Sequence, residues 1–555
     1  MSRHLHSGTK LGRDYGAAVA ALNTLQSNFQ VVDAIRRSGR GMNKYAIPEM
    51  LDWCRKLGYE PKDFDAFRPI HIAGTKGKGS TSAMVSSILS QYKSGSMKKI
   101  GLYTSPHLRF VRERIQIDNQ PLSEEKFTRY FFETWDALEA AAEEAGHPNP
   151  QDPSTKPVYF RFLTLMAFHA FLKEQVHTAV IECGIGGEYD STNVLANPSV
   201  TGITSLGIDH TAMLGDAIEE IAWHKGGILK PDVPAYTVQQ ADSALEILEQ
   251  RAKERNTKLH ITKPHIDFDN FRLGLDADFQ KINAGLAIHI AATHLNNIKE
   301  PPSLHPSMLH QGSLPPEFIS GLQQVRWPGR CEIRHEQNLT WYIDGGHTLE
   351  SIALTGSWFA SRILPQPATK ESRIATEKPT SQPIEANPTS TMTNSDVQPA
   401  RSSEPLLPKT RVLIFNQQVR SAPPLARSLH ALLSSALSTP QPFTHVVFCT
   451  NTTFREQGFS PDLVSVNVDA EEVGKLSVQK ELAEVWQGLD SQAEVRVVRT
   501  IEEAVGVARG LVGREAGEGM EGQGEQEKVR VLVTGSLHLV GGLIDVLESV
   551  MVKEK

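Results

Sequence analysis

The sequence predicts an α/β protein of two domains, each a parallel sheet flanked by helices, the first opening on a phosphate-binding loop. Three observations carry that expectation. Short β-rich runs alternate with helical stretches from residue 70 to about 300, the pattern of a sheet with helices on its faces. A second alternating series begins after the segment WPGR at 327–330. The stretch HIAGTKGKGSTSAMVSSIL at 71–89 takes a strand through a glycine-rich turn into a helix, the local context of an anion site. A chain of 555 residues exceeds what a single core organises, so two domains are expected, 1–325 and 326–555.

Taken in order, the first thirteen residues are basic and acid-poor, which reads either as a frayed terminus before an amphipathic helix or as a mitochondrial presequence. Strands are expected at RPIHIAG, KKIGLYTS, HTAVIE and SVTGITS. Between them, Ser123 before Glu124 and Glu125 marks a capped helix start, with Phe127, Phe131, Trp135 and Leu138 at helical spacing. Phe160 to Leu172 is the most apolar stretch, but Arg161 and His169 interrupt it. It falls short of the roughly 20 residues a membrane span needs and reads as a buried helix. The second domain offers TWYID, RVLIFN, THVVFCT, EVRVVR and VRVLVTG as strands. Residues 365–410 are rich in Pro, Ser and Thr and almost free of aromatics, so a disordered insertion is expected there. Residues 513–528 read as a second flexible loop.

The net charge of -7 excludes a general nucleic-acid binder, whose affinity depends on a basic surface displacing counterions. Cys54, Cys183, Cys331 and Cys449 lie far apart with no CxxC pair, so neither a disulfide framework nor a zinc site is implied. A reducing compartment, the cytoplasm with a mitochondrial pool, is the expected setting.

In the phosphate loop, Gly74, Gly77 and Gly79 let backbone N–H groups approach an anion, and Lys78 supplies a cation for the β- and γ-phosphates. Ser80 opens the helix and adds a hydroxyl donor. The spacing departs from GxxxxGK[ST], since Gly79 intervenes between Lys78 and Ser80. Three further predicted strands end in metal-compatible groups: Ser105, Glu182, and Asp209 with His210. Strand carboxyl ends line the crevice of an open parallel sheet, where hydroxyl, carboxylate and imidazole would share a Mg²⁺ ion with water and phosphate oxygens.

HIAGTKGKGST, YTSPHL with VRERI, YFRFLTLMAFHAF, IECGIGGEYDSTN, LGIDHTAMLGDAIEEIAWHKGGILK, WPGR, WYIDGGHT and VLVTGSLHLVGG together resemble the eukaryotic-type folylpolyglutamate synthase family, within the Mur ligase superfamily. The resemblance implies a P-loop-containing, parallel-sheet ATP-binding domain followed by a Rossmann-like C-terminal ligase domain, with catalysis between them. It implies ATP-dependent addition of L-glutamate to the terminal γ-carboxylate of a folate through an acyl phosphate. Dihydrofolate synthase activity, alone or combined with polyglutamylation in a bifunctional enzyme, is the alternative. By the same resemblance Gly77, Lys78, Gly79 and Ser80 hold the ATP phosphates, and Ser105, Glu182 and His210 hold Mg²⁺. Arg330 and Asp344 contact ATP, and Lys225 matches a lysine carbamylated to assist a second Mg²⁺. His347 is a candidate positioning group or proton acceptor. A monovalent cation, folates, L-glutamate and a monomeric state complete the implied picture. Two departures stand out: Gly345-Gly346 precede His347 where relatives read DGAH, and Ser421 stands where relatives carry an acid.

Overall fold

A computed structural model describes residues 12–26, 45–93, 97–300, 313–364, 407–418, 422–456, 462, 475–515 and 529–553. Of the expected insertion at 365–410, all but 407–410 lies outside the described residues, as do Ser421 and the first eleven positions.

Every strand expected from the sequence forms. The first sheet contains β1 (Pro69–Ala73), β2 (Ile100–Tyr103), β3 (Ile115–Ile117), β4 (Gln120–Pro121), β5 (Thr178–Glu182), β6 (Val200–Ile203), β7 (Ala235–Val238) and β8 (Leu259–Thr262), in the order β4-β3-β2-β5-β1-β6-β7-β8. The six strands from β2 to β8 in that order are mutually parallel. The short β3 and β4 add an antiparallel edge. The second sheet contains β9 (Glu332–Glu336), β10 (Leu339–Ile343), β11 (Arg411–Phe415), β12 (His445–Phe448), β13 (Glu494–Val497) and β14 (Val529–Thr534), ordered β13-β12-β11-β14-β10-β9. Only β9 runs antiparallel, paired with β10. β1, β2, β5 and β6 are buried along their whole length, which is why they read as continuous apolar runs rather than alternating ones.

Helices cover both faces of the first sheet. On one, helix Lys78–Ser90 packs beneath helices Asp278–Asn297 and Pro316–Gln324. That enclosure explains its buried serines: Ser87 donates to the Gly321 carbonyl at 2.7 Å, and a Cβ on Gly321 would lie 2.6 Å from Ile88 Cα. On the other face, helix Glu124–Glu144 starts where predicted, with Ser123 Oγ accepting the Lys126 N–H at 3.2 Å, and buries Phe127, Phe131 and Leu138. Helix Tyr159–Lys173 places Phe162, Phe168 and Phe171 in the same core. Each such ring contributes about 2–3 kcal/mol by leaving water. Of the loop expected at 513–528, residues 513–515 instead belong to helix Ile501–Glu515, whose apolar spacing runs through Val505, Ala508 and Leu511, and 516–528 lie outside the described residues.

The two sheets are tied together. Trp358 Nε1 and Arg362 Nη2 both donate to the Asp276 carbonyl, at 2.9 and 3.0 Å. Ala277 and Phe279, at the start of helix Asp278–Asn297, pack into the core beneath the second sheet. Arg109 forms ion pairs with Asp545 and Glu548.

Candidate active site

β2, β5, β1 and β6 are neighbours in the first sheet, so their carboxyl ends deliver four loops to one place. The loop after β1 turns sharply at Gly74 (φ +145°) and Gly77 (φ +89°). Neither position accepts a side chain: a Cβ at Gly74 would lie 1.8 Å from Thr204 Oγ1, and one at Gly77 would lie 2.2 Å from Asn283 Oδ1. Thr75 and Lys76 N–H groups both donate to the Ser205 carbonyl at 3.0 Å, and Thr75 Oγ1 donates to the Gly207 carbonyl at 3.1 Å. The phosphate loop is thereby locked to the loop that carries Asp209 and His210.

A cleft of about 1590 Å³ opens where these loops meet the second domain. Gly77, Lys78, Gly79, Ser80, Ser105, Glu182, His210, Arg330, Asp344 and His347 all line it. Lys225 is the exception. It lies behind the loop, 3% exposed, with Nζ donating to the Gly74 carbonyl at 2.8 Å, while Lys78 Nζ donates to the same oxygen at 3.1 Å. Burial, and then the nearby Lys78 charge, push the Lys225 pKa down to about 7. Lys225 is thus an amine near neutrality rather than a firm ammonium.

Glu182 ends β5 and is 3% exposed. Its Oε2 accepts the Ser105 N–H at 3.1 Å. Burial drives its pKa up to about 7, against the lowering pull of Lys78, Arg330 and Arg114. A buried carboxylate with that much proton affinity suits a divalent cation, and Ser105 and His210 on the same cleft add a hydroxyl and an imidazole. Among the described residues no group of three or more His, Cys, Asp or Glu side chains forms a metal cluster. Asp209 lines the same cleft, pairs with Lys76 at 3.0 Å and accepts the His210 N–H at 2.9 Å.

Across the cleft, β10 ends at Ile343 and presents Asp344. Its Oδ2 accepts the Cys331 N–H at 2.9 Å. Its Oδ1 accepts the Gly346 N–H at 2.9 Å and the Thr355 hydroxyl at 2.7 Å. Asp344 therefore organises the turn that joins WPGR to helix Leu349–Ile363. His347 Nδ1–H donates to the Gly345 carbonyl at 2.9 Å, which assigns the proton to Nδ1. Of the other lining residues, Arg114, Tyr159 and Trp327 lie within the motifs VRERI, YFRFLTLMAFHAF and WPGR but were given no role from the sequence, and Gln280 and Asn283 carried no sequence signal. Gln280 Nε2 donates to Ser80 Oγ at 3.3 Å, and Asn283 Nδ2 donates to Gln280 Oε1 at 2.8 Å. Their helix carries no glycine-rich or strand-end signal, so only tertiary packing brings them to the loop.

The fold is that of solved folylpolyglutamate synthase structures. The chain is similar to the Mycobacterium tuberculosis enzyme complexed with ADP (TM-score 0.62, 20% identity, 95% of this chain and 98% of that chain). It is also similar to an FPGS–AMPPCP–folate complex (TM-score 0.58, 20% identity, 96% and 99%). No family model matches the chain. It is 41% identical over 547 residues to a Saccharomyces cerevisiae folylpolyglutamate synthase, covering 98% of this chain and 88% of the relative. The chain belongs to the folylpolyglutamate synthase family.

Proposed function

We propose that the chain catalyses ATP-dependent ligation of L-glutamate to the terminal γ-carboxylate of tetrahydrofolate or its polyglutamates, giving ADP and phosphate. The observation that carries this reading is the single cleft on which the phosphate loop, Glu182 and the Arg330–Asp344–His347 segment converge, in a chain of this family. A carboxylate is a poor electrophile, so ATP is used to activate it. A carboxylate oxygen of the folate attacks the γ-phosphorus, the bond to ADP breaks, and an acyl phosphate forms. The glutamate amine then adds to the acyl carbon, phosphate leaves with its electron pair, and the amine proton passes to a base or to water.

Each residue has a role in that sequence. Gly77, Gly79 and Ser80 bind phosphate oxygens through N–H and hydroxyl groups, and Lys78 moves from the Gly74 carbonyl to the phosphates. Ser105, Glu182 and His210 would hold Mg²⁺, whose contribution when bound is charge neutralisation on the phosphoryl oxygens. Lys225, with its pKa near 7, is suited to carbamylation, which needs a neutral amine. Arg330 and Asp344 hold the nucleotide from the second domain. His347 presents Nε2 as a positioning group or proton acceptor.

The division near residue 325 is part of this proposal, supported by the first sheet ending at Thr262 and the second beginning at Glu332. So are a monomeric state, a monovalent cation, and a cytoplasmic location with a mitochondrial pool. No helix among the described residues is long and apolar enough to cross a membrane. All four cysteines are buried free thiols, which suits a reducing compartment. The testing experiment measures ADP release with tetrahydrofolate plus glutamate against dihydropteroate plus glutamate. Release with the first pair alone is expected. Release with dihydropteroate alone would replace this reading with dihydrofolate synthase.

A further inference from the structure

Residues 105–114 bridge the two halves of the cleft. Leu108 packs into the core beneath the second sheet, and a Cβ on Gly541 would lie 2.1 Å from the Leu108 carbonyl oxygen. Glu113 folds the bridge on itself by accepting N–H bonds from Leu108, Arg109 and Phe110. Just beyond, Arg114 lies on the cleft wall, 9% exposed, its guanidinium 5.6 Å from the centre of the Tyr159 ring.

His107 stands between Arg114 and the second domain. Arg114 Nε–H donates to His107 Nδ1 at 2.9 Å, and His107 Nε2–H donates to the Asp462 carbonyl at 3.0 Å. Asp462 is itself pinned, with Oδ1 accepting the Val111 N–H at 2.9 Å and the Tyr15 hydroxyl at 2.5 Å. Arginine only donates and a carbonyl only accepts, so both His107 bonds exist together only in the neutral ring protonated on Nε2.

We infer that His107 is a positioning residue that fixes Arg114 to receive a substrate carboxylate, while the Asp462 carbonyl holds the imidazole in the tautomer that leaves Nδ1 an acceptor, a constraint that an amide oxygen in its place does not need. The inference rests on the proposed function, which brings anionic folate and glutamate into this cleft. Holding Nε leaves the two terminal nitrogens as what Arg114 offers, and a planar fork recognises a carboxylate at two points only when its plane is fixed.

Two substitutions separate the two bonds. His107→Asn carries an acceptor near the Nδ1 position and loses the reach to Asp462. His107→Gln reaches Asp462 and lacks the acceptor for Arg114. The assay is steady-state ligation by the full chain, with KM measured separately for folate, glutamate and ATP, beside a thermal melt. Loss of a hydrogen bond to a charged group predicts that His107→Gln raises a carboxylate-substrate KM about tenfold with the ATP KM unchanged. His107→Asn stays within about twofold of wild type. Arg114→Lys, which has no Nε, shows the Gln defect, and adding His107→Gln to it makes little further difference. Equal effects of Asn and Gln, or fully multiplicative effects in the double variant, overturn the inference. Should the Gln variant melt early, Asn against Arg114→Lys decides alone, because an Asn variant as defective as Lys is the overturning result. Wild type without folate-dependent ligation strikes the proposed function, whereas active wild type with an unaffected Gln variant strikes only the role of His107.

Discussion

Replacing Glu182 by Gln should stabilise the ligand-free protein while disabling it. The carboxyl is raised from 4.5 to about 7 by burial, and each pKa unit corresponds to about 1.4 kcal/mol. The ionised side chain therefore costs the folded state about 3 kcal/mol above pH 7. The sign follows from a folded pKa above the unfolded one: stability is whole below about pH 4.5 and is lost as pH rises through about 7. Gln removes the titration and keeps an oxygen to accept the Ser105 N–H. With chelator present at pH 8, the variant should melt on the order of 3–5 °C above wild type, and the gap should close toward pH 5. Added MgATP should raise the wild-type midpoint and leave the variant nearly unmoved, with ligase turnover lost. A gap that does not change between pH 5 and 8, or a variant less stable than wild type at pH 8, refutes the assignment of Glu182 as a strained anion awaiting a cation.

Three other outcomes are expected. Lys78→Ala should abolish ADP release while circular dichroism and melting stay close to wild type, since the side chain fills no core volume; near-normal turnover would contradict its phosphate role. Asp344→Ala should lower stability by several kcal/mol, because the buried Cys331 and Gly346 N–H groups lose their acceptor at about 1–3 kcal/mol each, and Asp344→Asn should lose less. Urea unfolding of both measures the difference, and an unaffected Ala variant would show that the turn does not depend on this carboxylate. MgATP should protect residues 320–345 from limited proteolysis if both domains grip the nucleotide; cleavage at the same rate with and without it counts against a shared site.

The phosphate loop was legible because its physics is local. A buried strand, glycines at positive φ and a helix start are all written within HIAGTKGKGST. Glu182 and Ser105 were legible because they end strands whose apolar runs are unbroken. β3, β4 and β9 escaped notice because strands this short, at a sheet edge, need no long apolar run. β7 and β8, with sequences AYTV and LHIT, lack the run of large aliphatics that marked their neighbours. Asn283 and Gln280 escaped for a different reason. They lie on a helix more than 190 residues beyond the loop they support, and only the packing of helix Asp278–Asn297 on helix Lys78–Ser90 brings them there. The carboxylate of Asp344 was visible as a motif residue, but its three hydrogen bonds, which make it a structural anchor, were not.

The central claim is tested most directly by mass spectrometry of tetrahydrofolate incubated with the full chain, MgATP and L-glutamate. Successive additions of glutamyl residues to the folate, each requiring ATP, are the predicted result. Unmodified tetrahydrofolate from a protein that nevertheless binds MgATP would contradict it.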